Sequence, residues 1–204
     1  AIDPEDSSTL YLGTGVGVFK GSNGGGSWTA INTGMNPNWW FPVLVIDPQT
    51  PATIYVGTSV GVFKSVDGGT NGGTSSKGLN NSEVTSLAID PQTPAKIYAG
   101  TVGGIGGAVF ASSNGGISWS ASGLINGGIW ALVLDPQTPT TLYAGSEGGV
   151  YKSIDGGVNW HPVNAGLNSI EVLSLVLDPH TPTTLYAGTE AGVFKSTDGG
   201  GSWT

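Results

Sequence analysis

The chain has 204 residues, of which only 10% are charged, against roughly 25% in an ordinary globular domain. Fourteen acidic residues stand against six basic ones, all of them lysine, for a formal net charge of -8. A nucleic acid or an anionic membrane surface therefore has no basic footprint to meet, and without cysteine there are neither disulfides nor thiolate sites.

Cations, neutral glycans and other proteins remain open as partners. The 38% hydrophobic content and the 36 glycines point to short strands separated by tight turns, not to disorder. No apolar run reaches the length of a membrane span, and no secretory leader is visible. The opening "AIDPED" lacks Met, which implies that something upstream was removed.

One phrase organises the chain. Asp-Pro, four residues, Thr or Lys, an apolar residue and Tyr recur from Asp3, Asp47, Asp90, Asp135 and Asp178, at spacings of 44, 43, 45 and 43 residues. Each copy continues through Gly-Thr or Gly-Ser, a short apolar run, a Gly-Gly phrase and a glycine-containing connection. The fourth copy shows the elements in order. Strand A is "IWALVLD" (Ile129 to Asp135), strand B "TLYAGS" (Thr141 to Ser146), strand C "GVYKS" (Gly149 to Ser153) and strand D "NWHPV" (Asn159 to Val163).

Strand A is nearly continuous in apolar residues, as a strand buried on both faces should be. The other three are shorter and bounded by Gly, Asp and Pro turn signals. A four-stranded repeat of this length predicts an all-β fold, a β-propeller of five blades. The expected blades are about 1–40, 41–83, 84–127, 128–170 and 171–204, in a single domain. The chain then opens in strand A of the first blade, "AID", and stops in strand D of the fifth, "SWT". A closed five-bladed ring and five blades of a larger one are both compatible with the pattern.

The phrase Ser-x-Asp-Gly-Gly-x-x-Trp resembles the Asp-box, or BNR repeat. That repeat is shared by propellers of sialidases, xyloglucan-cleaving glycosidases, sortilin-type receptors and photosystem assembly factors. It is complete at Ser153, Asp155, Trp160 and at Ser196, Asp198, Trp203. The third copy has Ser112, Asn114 and Trp119; the second has Ser65 and Asp67 but Gly72 in place of Trp. In the first, Gly21 and Asn23 replace Ser and Asp while Trp28 remains. The resemblance implies a propeller and leaves the activity open, since those families share the phrase without sharing chemistry.

Both repeated phrases read as fastenings. Asp or Asn accepts backbone N–H bonds at the C–D turn, glycine supplies positive φ, and Trp covers the blade's apolar face. Gly72 then leaves the second blade short of a side chain, and Gly72→Trp is expected to raise its stability. The five Asp-Pro aspartates stand alone, with no second carboxylate at ligand spacing, so no metal and no cofactor are expected.

Function should lie where the copies differ. The D–A and B–C connections open on one propeller face and carry nearly all the irregularity. They place Trp39, Trp40 and Trp130 beside Glu83, Glu147, Glu171 and Glu190. Trp130 falls near the start of strand A, where Glu83 and Glu171 also fall. Tryptophans beside carboxylates suit a sugar platform; the alternative is that Trp side chains, Trp130 above all, plug the central channel. His161 and His180 lie in strand D and an Asp-Pro turn, away from that face.

The absence of arginine argues against a sialidase, whose resemblance implies an arginine cluster gripping the substrate carboxylate. A glycoside hydrolase needs only two carboxylates, which Glu83 with Glu171 or Glu147 with Glu190 would supply. No aspartate carries over from the xyloglucan-cleaving pattern, because every one but Asp6 belongs to a repeated turn. The favoured reading is a non-catalytic extracellular, periplasmic or cell-surface module that binds a glycan or a protein. The alternatives are the hydrolase and a structural spacer in a surface or membrane-associated complex. Further blades or subunits of a larger assembly are compatible with each.

Overall fold

A computed structural model describes residues 1–36, 43–80, 82–103, 107–124 and 127–204. They form five antiparallel sheets in which consecutive strands pair in sequence order, the blades of a propeller. Blade 1 comprises β1 (Leu10–Thr14), β2 (Gly17–Ser22) and β3 (Ser27–Ala30). Blade 2 comprises β4 (Val43–Ile46), β5 (Ile54–Thr58), β6 (Gly61–Ser65) and β7 (Gly72–Thr74). Blade 3 holds β8 (Glu83–Ile89), β9 (Ile97–Val102), β10 (Val109–Ser112) and β11 (Ser120–Ala121). Blade 4 holds β12 (Ile129–Leu134), β13 (Leu142–Ser146), β14 (Gly149–Ser153) and β15 (His161–Pro162). Blade 5 holds β16 (Val172–Leu177), β17 (Leu185–Thr189) and β18 (Gly192–Ser196).

The terminal blades have three strands each, where the repeat predicts four. Of strand A in blade 1, only Ile2 bridges to Leu10. Of strand D in blade 5, only Thr204 exchanges backbone bonds with Lys195. The A strands β4, β8, β12 and β16 lie next to one another and line the middle. A bulge interrupts three of them, between Val84 and Ser86, Ile129 and Ala131, and Val172 and Ser174. The bulged residues are Thr85, Trp130 and Leu173.

The Asp-Pro turns behave as their chemistry dictates. Asp47 Oδ1 accepts the N–H groups of Gln49 and Thr50 at 2.9 and 3.2 Å, and Asp90, Asp135 and Asp178 repeat the arrangement. In the C–D turns, Ser153 Oγ donates to Asp155 Oδ1 at 2.8 Å and accepts from Gly157 N at 2.9 Å. Asp155 Oδ1 also takes Asn159 N at 2.9 Å. Ser65 with Asp67, Ser112 with Asn114 and Ser196 with Asp198 do the same.

The tryptophans join blades as well as covering them. Trp119 Nε1 donates to Ser75 O at 2.7 Å and Trp203 Nε1 to Val163 O at 2.8 Å, each reaching the blade before. A second latch runs the other way. Tyr55, Tyr98 and Tyr143 of strand B donate to the carbonyls of Gly115, Gly156 and Gly199 in the following blade's C–D turn, at 3.1, 3.0 and 3.1 Å.

Blade 2 corrects one expectation. Gly72 leaves no vacancy: a Cβ there would meet Phe63 Cε1 at 2.3 Å and Lys64 O at 3.0 Å. Phe63 belongs to a cluster with Tyr11, Val18, Ile54 and Val56, against which Ile31 and Met35 of the blade 1 connection pack. The space that tryptophan takes elsewhere is filled from blade 1.

The five blades form an open arc and not a ring closed on itself. Val193 of blade 5 is 73% exposed, whereas Val18, Val62, Val109 and Val150 in the same place are buried. No hydrogen bond joins blade 1 to blade 5 among the described residues.

Candidate functional site

The face bearing the D–A and B–C connections is built from the ends of β8, β12 and β16 and the turns after β13 and β17. Glu83 begins β8, and Glu171 directly precedes β16, so the two occupy equivalent positions two blades apart. Trp130 does not share their position. It is the bulged residue of β12, equivalent to Thr85 and Leu173. A bulge bends its strand and re-aims the side chain it carries.

Between blades 3 and 4, Thr85 Oγ1 donates to Gly100 O at 3.1 Å and contacts Ile129 O. This bridge fixes the start of β12 against β8, and with it the root of Trp130. Immediately before β12 the chain runs through Gly127 (φ 79°) and Gly128. A Cβ on Gly128 would meet Glu147 Oε1 at 3.0 Å, Val102 Cγ1 at 3.0 Å and Trp130 Cζ2 at 3.2 Å. A Cβ on Gly127 would lie 2.8 Å from Glu147 Oε2. The Glu147 carboxylate and the Trp130 indole thus converge on the same bare stretch of backbone, and Glu147 N donates to Gly128 O at 3.3 Å.

The electrostatics follow from exposure. Glu147 and Glu190 are exposed on their B–C turns, while Glu83 and Glu171 are half-buried at the roots of their strands. Trp130 is half-buried, and its Nε1 is shut off from solvent without a hydrogen-bond partner among the described residues. Such a group costs about 1–3 kcal/mol to leave unpaired. Trp39 and Trp40 lie outside the described residues.

The opposite face offers less. An apolar concavity of about 370 Å³ lies at the Asp-Pro end of the A strands, lined by Ile89, Leu134, Pro136, Val176, Leu177 and Pro179. It presents no charged side chain with which to orient a polar ligand. The Asp-Pro carboxylates beside it are engaged as turn acceptors, and no cluster of three His, Asp or Glu able to hold a metal exists among the described residues. His161 and His180 are exposed, on β15 and an Asp-Pro turn.

No protein-family profile matches this sequence, and no curated protein does. Solved structures do. An ancestral GH74 enzyme is 27% identical, with a TM-score of 0.77 over 96% of this chain and 27% of that one. The GH74 xyloglucanase from Xanthomonas campestris is 19% identical, with a TM-score of 0.82 over 98% of this chain and 36% of its own. The extracellular domain of a hybrid two component system from B. thetaiotaomicron is 19% identical, with a TM-score of 0.75 over 93% and 26%. The architecture is that of a β-propeller. The chain spans between about a quarter and a third of the length of these proteins.

Two relationships escaped the sequence. The convergence of Trp130 and Glu147 depends on a glycine pair that lets turn and strand approach, and nothing in residue spacing announces that. The Tyr–Gly latch had a visible signal, since Tyr recurs in every copy and a strand C Lys in all but the third, which has Ala111. Without the register of one blade on the next, that recurrence has no partner to point to.

Proposed function

We propose that this chain is a non-catalytic binding module, acting outside the cytoplasm, whose irregular face takes a glycan. The observation that carries the reading is the meeting of Trp130 and Glu147 over Gly127 and Gly128. An indole face stacks on the C–H side of a sugar ring, and a carboxylate beside it accepts the hydroxyls. Glu83 and Glu171 extend an acidic rim on either side of blade 4, and Trp39 and Trp40, outside the described residues, are assigned to the same platform from the sequence alone.

The Asp-box reading of the C–D turns supports this division of labour, with a stapled face opposite a variable one. The likeness to a xyloglucanase and to an extracellular domain favours a polysaccharide ligand and an extracellular, periplasmic or cell-surface setting. The hydrolase reading is less well supported. A glycosidase needs two carboxylates about 5–9.5 Å apart across the scissile bond. Glu83 and Glu171 stand at the starts of β8 and just before β16 with the whole of blade 4 between them, and Glu147 and Glu190 sit on separate exposed turns.

Calorimetric titration with a xyloglucan oligosaccharide tests the proposal. The chain binds, and Trp130→Ala and Glu147→Gln each weaken binding about ten-fold or more, the worth of one good contact. Unchanged affinity in both variants refutes the platform. Release of reducing sugar that Glu83→Gln or Glu171→Gln abolishes, with binding retained, establishes the hydrolase instead. Absence of any sugar binding leaves a protein-binding module or the spacer.

A further inference from the structure

At each internal junction a lysine of one blade meets the Gly-Gly turn of the next. A Cβ on Gly68 or Gly156 would lie 3.3 or 3.4 Å from Lys20 or Lys96 Nζ, and Lys152 Nζ donates to Gly199 O at 3.0 Å. Each of these glycines directly follows an acid, Asp67, Asp155 or Asp198, so the lysine has a carboxylate nearby to answer it. The junction of blades 2 and 3 is different. Lys64 Nζ donates to Gly115 O at 2.9 Å, but the residue before Gly115 is Asn114. Its amide fastens the turn without charge: Oδ1 accepts Ser118 N at 3.0 Å and Nδ2 donates to Ser118 Oγ at 2.9 Å.

The same junction carries a second cation with no acid beside it. Lys77 is exposed and stands where blades 1 and 4 have Thr33 and Ala165. With Lys64, Thr74, Gly115 and Ile117 it lines a concavity of about 490 Å³, and no carboxylate is among the lining residues. The corresponding hollow about Lys20 is lined by Asp3, Glu5 and Asp67. In a chain of net charge -8, a cleft with two ammonium groups and no acid selects an anionic ligand.

One wall of this cleft is an open sheet edge. β7 is the outermost strand of blade 2, and Gly72 and Gly73 give it no side chain; a Cβ on Gly73 would meet nothing. Thr74 pairs with Phe63, while the next residue, Ser75, donates its N–H inward to Val62 O at 2.8 Å. An antiparallel ladder alternates, so the N–H and C=O of Thr74 point outward, where another strand can pair with them. Ile117, 71% exposed, supplies an apolar contact in the same cleft. Blade 2 has blade 1 on one side and blade 3 on the other, so this edge is not an end of the arc.

We propose that the cleft between blades 2 and 3 binds an extended acidic peptide segment of a partner protein, laid along β7 as an added strand with its carboxylates on Lys64 and Lys77. Backbone bonds to Thr74 set the register, and the two lysines select the charge. The bare glycine edge admits a peptide backbone closely, which favours a polypeptide over an anionic sugar chain. The site shares no residue with the Trp130 platform and does not depend on that face binding a glycan.

Fluorescence anisotropy tests this with a labelled, end-blocked hexapeptide alternating Glu and Val, titrated at low salt with the whole chain up to about 1 mM. The peptide binds, and its Lys-Val counterpart does not. Lys77→Glu weakens binding about ten-fold. Asn114→Asp installs the acid that Asp67, Asp155 and Asp198 provide in their own turns; it keeps the wild-type circular dichroism and melting temperature, yet weakens binding about five-fold. Thr74→Pro removes an N–H that blade 2 does not use and weakens binding by a similar factor. A Glu-Val peptide that fails to bind, or that binds all three variants as it binds the wild type, overturns the proposal. So does an oligogalacturonate that binds through Lys77 more tightly than the peptide, since the cleft is then a site for an anionic sugar.

Discussion

The Tyr143 hydroxyl donates to the Gly199 carbonyl at 3.1 Å and ties strand B of blade 4 to the C–D turn of blade 5. Lys152 reaches the same oxygen at 3.0 Å. Tyr186 is the corresponding residue of blade 5, and its face is open. Tyr143→Phe should therefore cost about 1 kcal/mol of stability, the net value of a buried hydrogen bond. Tyr186→Phe should leave the stability unchanged. Urea unfolding of the two variants in dilute solution checks the contrast. No loss in Tyr143→Phe would mean that the tyrosine ring, and not its hydroxyl, holds the blades.

Gly72→Trp should destabilise, the reverse of what the missing tryptophan suggests. The place of its Cβ lies 2.3 Å from Phe63 Cε1, a buried ring that cannot swing aside without leaving its cluster. Overpacking of this kind costs about 1–3 kcal/mol. Phe63→Ala should also destabilise alone, by about 3–5 kcal/mol. The double variant should lose less than the two single losses combined, since the new indole occupies the vacated room. Thermal melts of the three variants read the coupling; strict additivity would show that the two residues do not compete.

The acid limb of stability should lie between about pH 4 and pH 2. Backbone and side-chain bonds from Asn159, with Ser153 behind them, lower the Asp155 carboxyl from 3.8 to about 2. Ser202 and Ser196 do the same for Asp198, also to about 2. A depressed carboxyl contributes stability that is fully present above its unfolded value and is lost as pH falls through the folded one. The melting temperature should hold down to about pH 5 and then fall, and Asp155→Asn should flatten that fall while lowering the plateau. An unchanged acid slope in the variant would mean that the turn carries no linkage.

The five-blade pattern was legible because it repeats. Asp47, Asp90, Asp135 and Asp178 each sit before Pro at one spacing, and the bonds each makes are local, two and three residues on. Strand limits in the fourth copy agree with β12 to β15 to within a residue or two for the same reason, except the shorter strand D. What depends on two blades at once was not legible. Phe63 with Ile31 and Met35 fills the place of a missing tryptophan through contacts more than twenty-five residues apart in sequence. The open arc is likewise a property of how sheets turn on one another, which no single repeat encodes. The site was legible in part. The irregular loops pointed to the face of the D–A and B–C connections, but the bulge that sets Trp130 two residues beyond the positions of Glu83 and Glu171 shifts register in a way that alternation of apolar residues does not reveal.

Trp130 offers the sharpest separation of stability from function. Its Nε1 is buried and has no partner among the described residues. Trp130→Phe removes that donor and keeps an aromatic face against Gly128. The lost ring area and the relieved N–H oppose each other at about 1–3 kcal/mol each, so the melting temperature should move little or rise. Affinity for a xyloglucan oligosaccharide should change little, because the buried N–H does not face the ligand while the stacking surface persists. Trp130→Ala should lose the stacking surface and the affinity with it. If Trp130→Ala binds as tightly as the wild type while Trp130→Phe melts well below it, Trp130 is a packing residue and the platform must be sought elsewhere on that face.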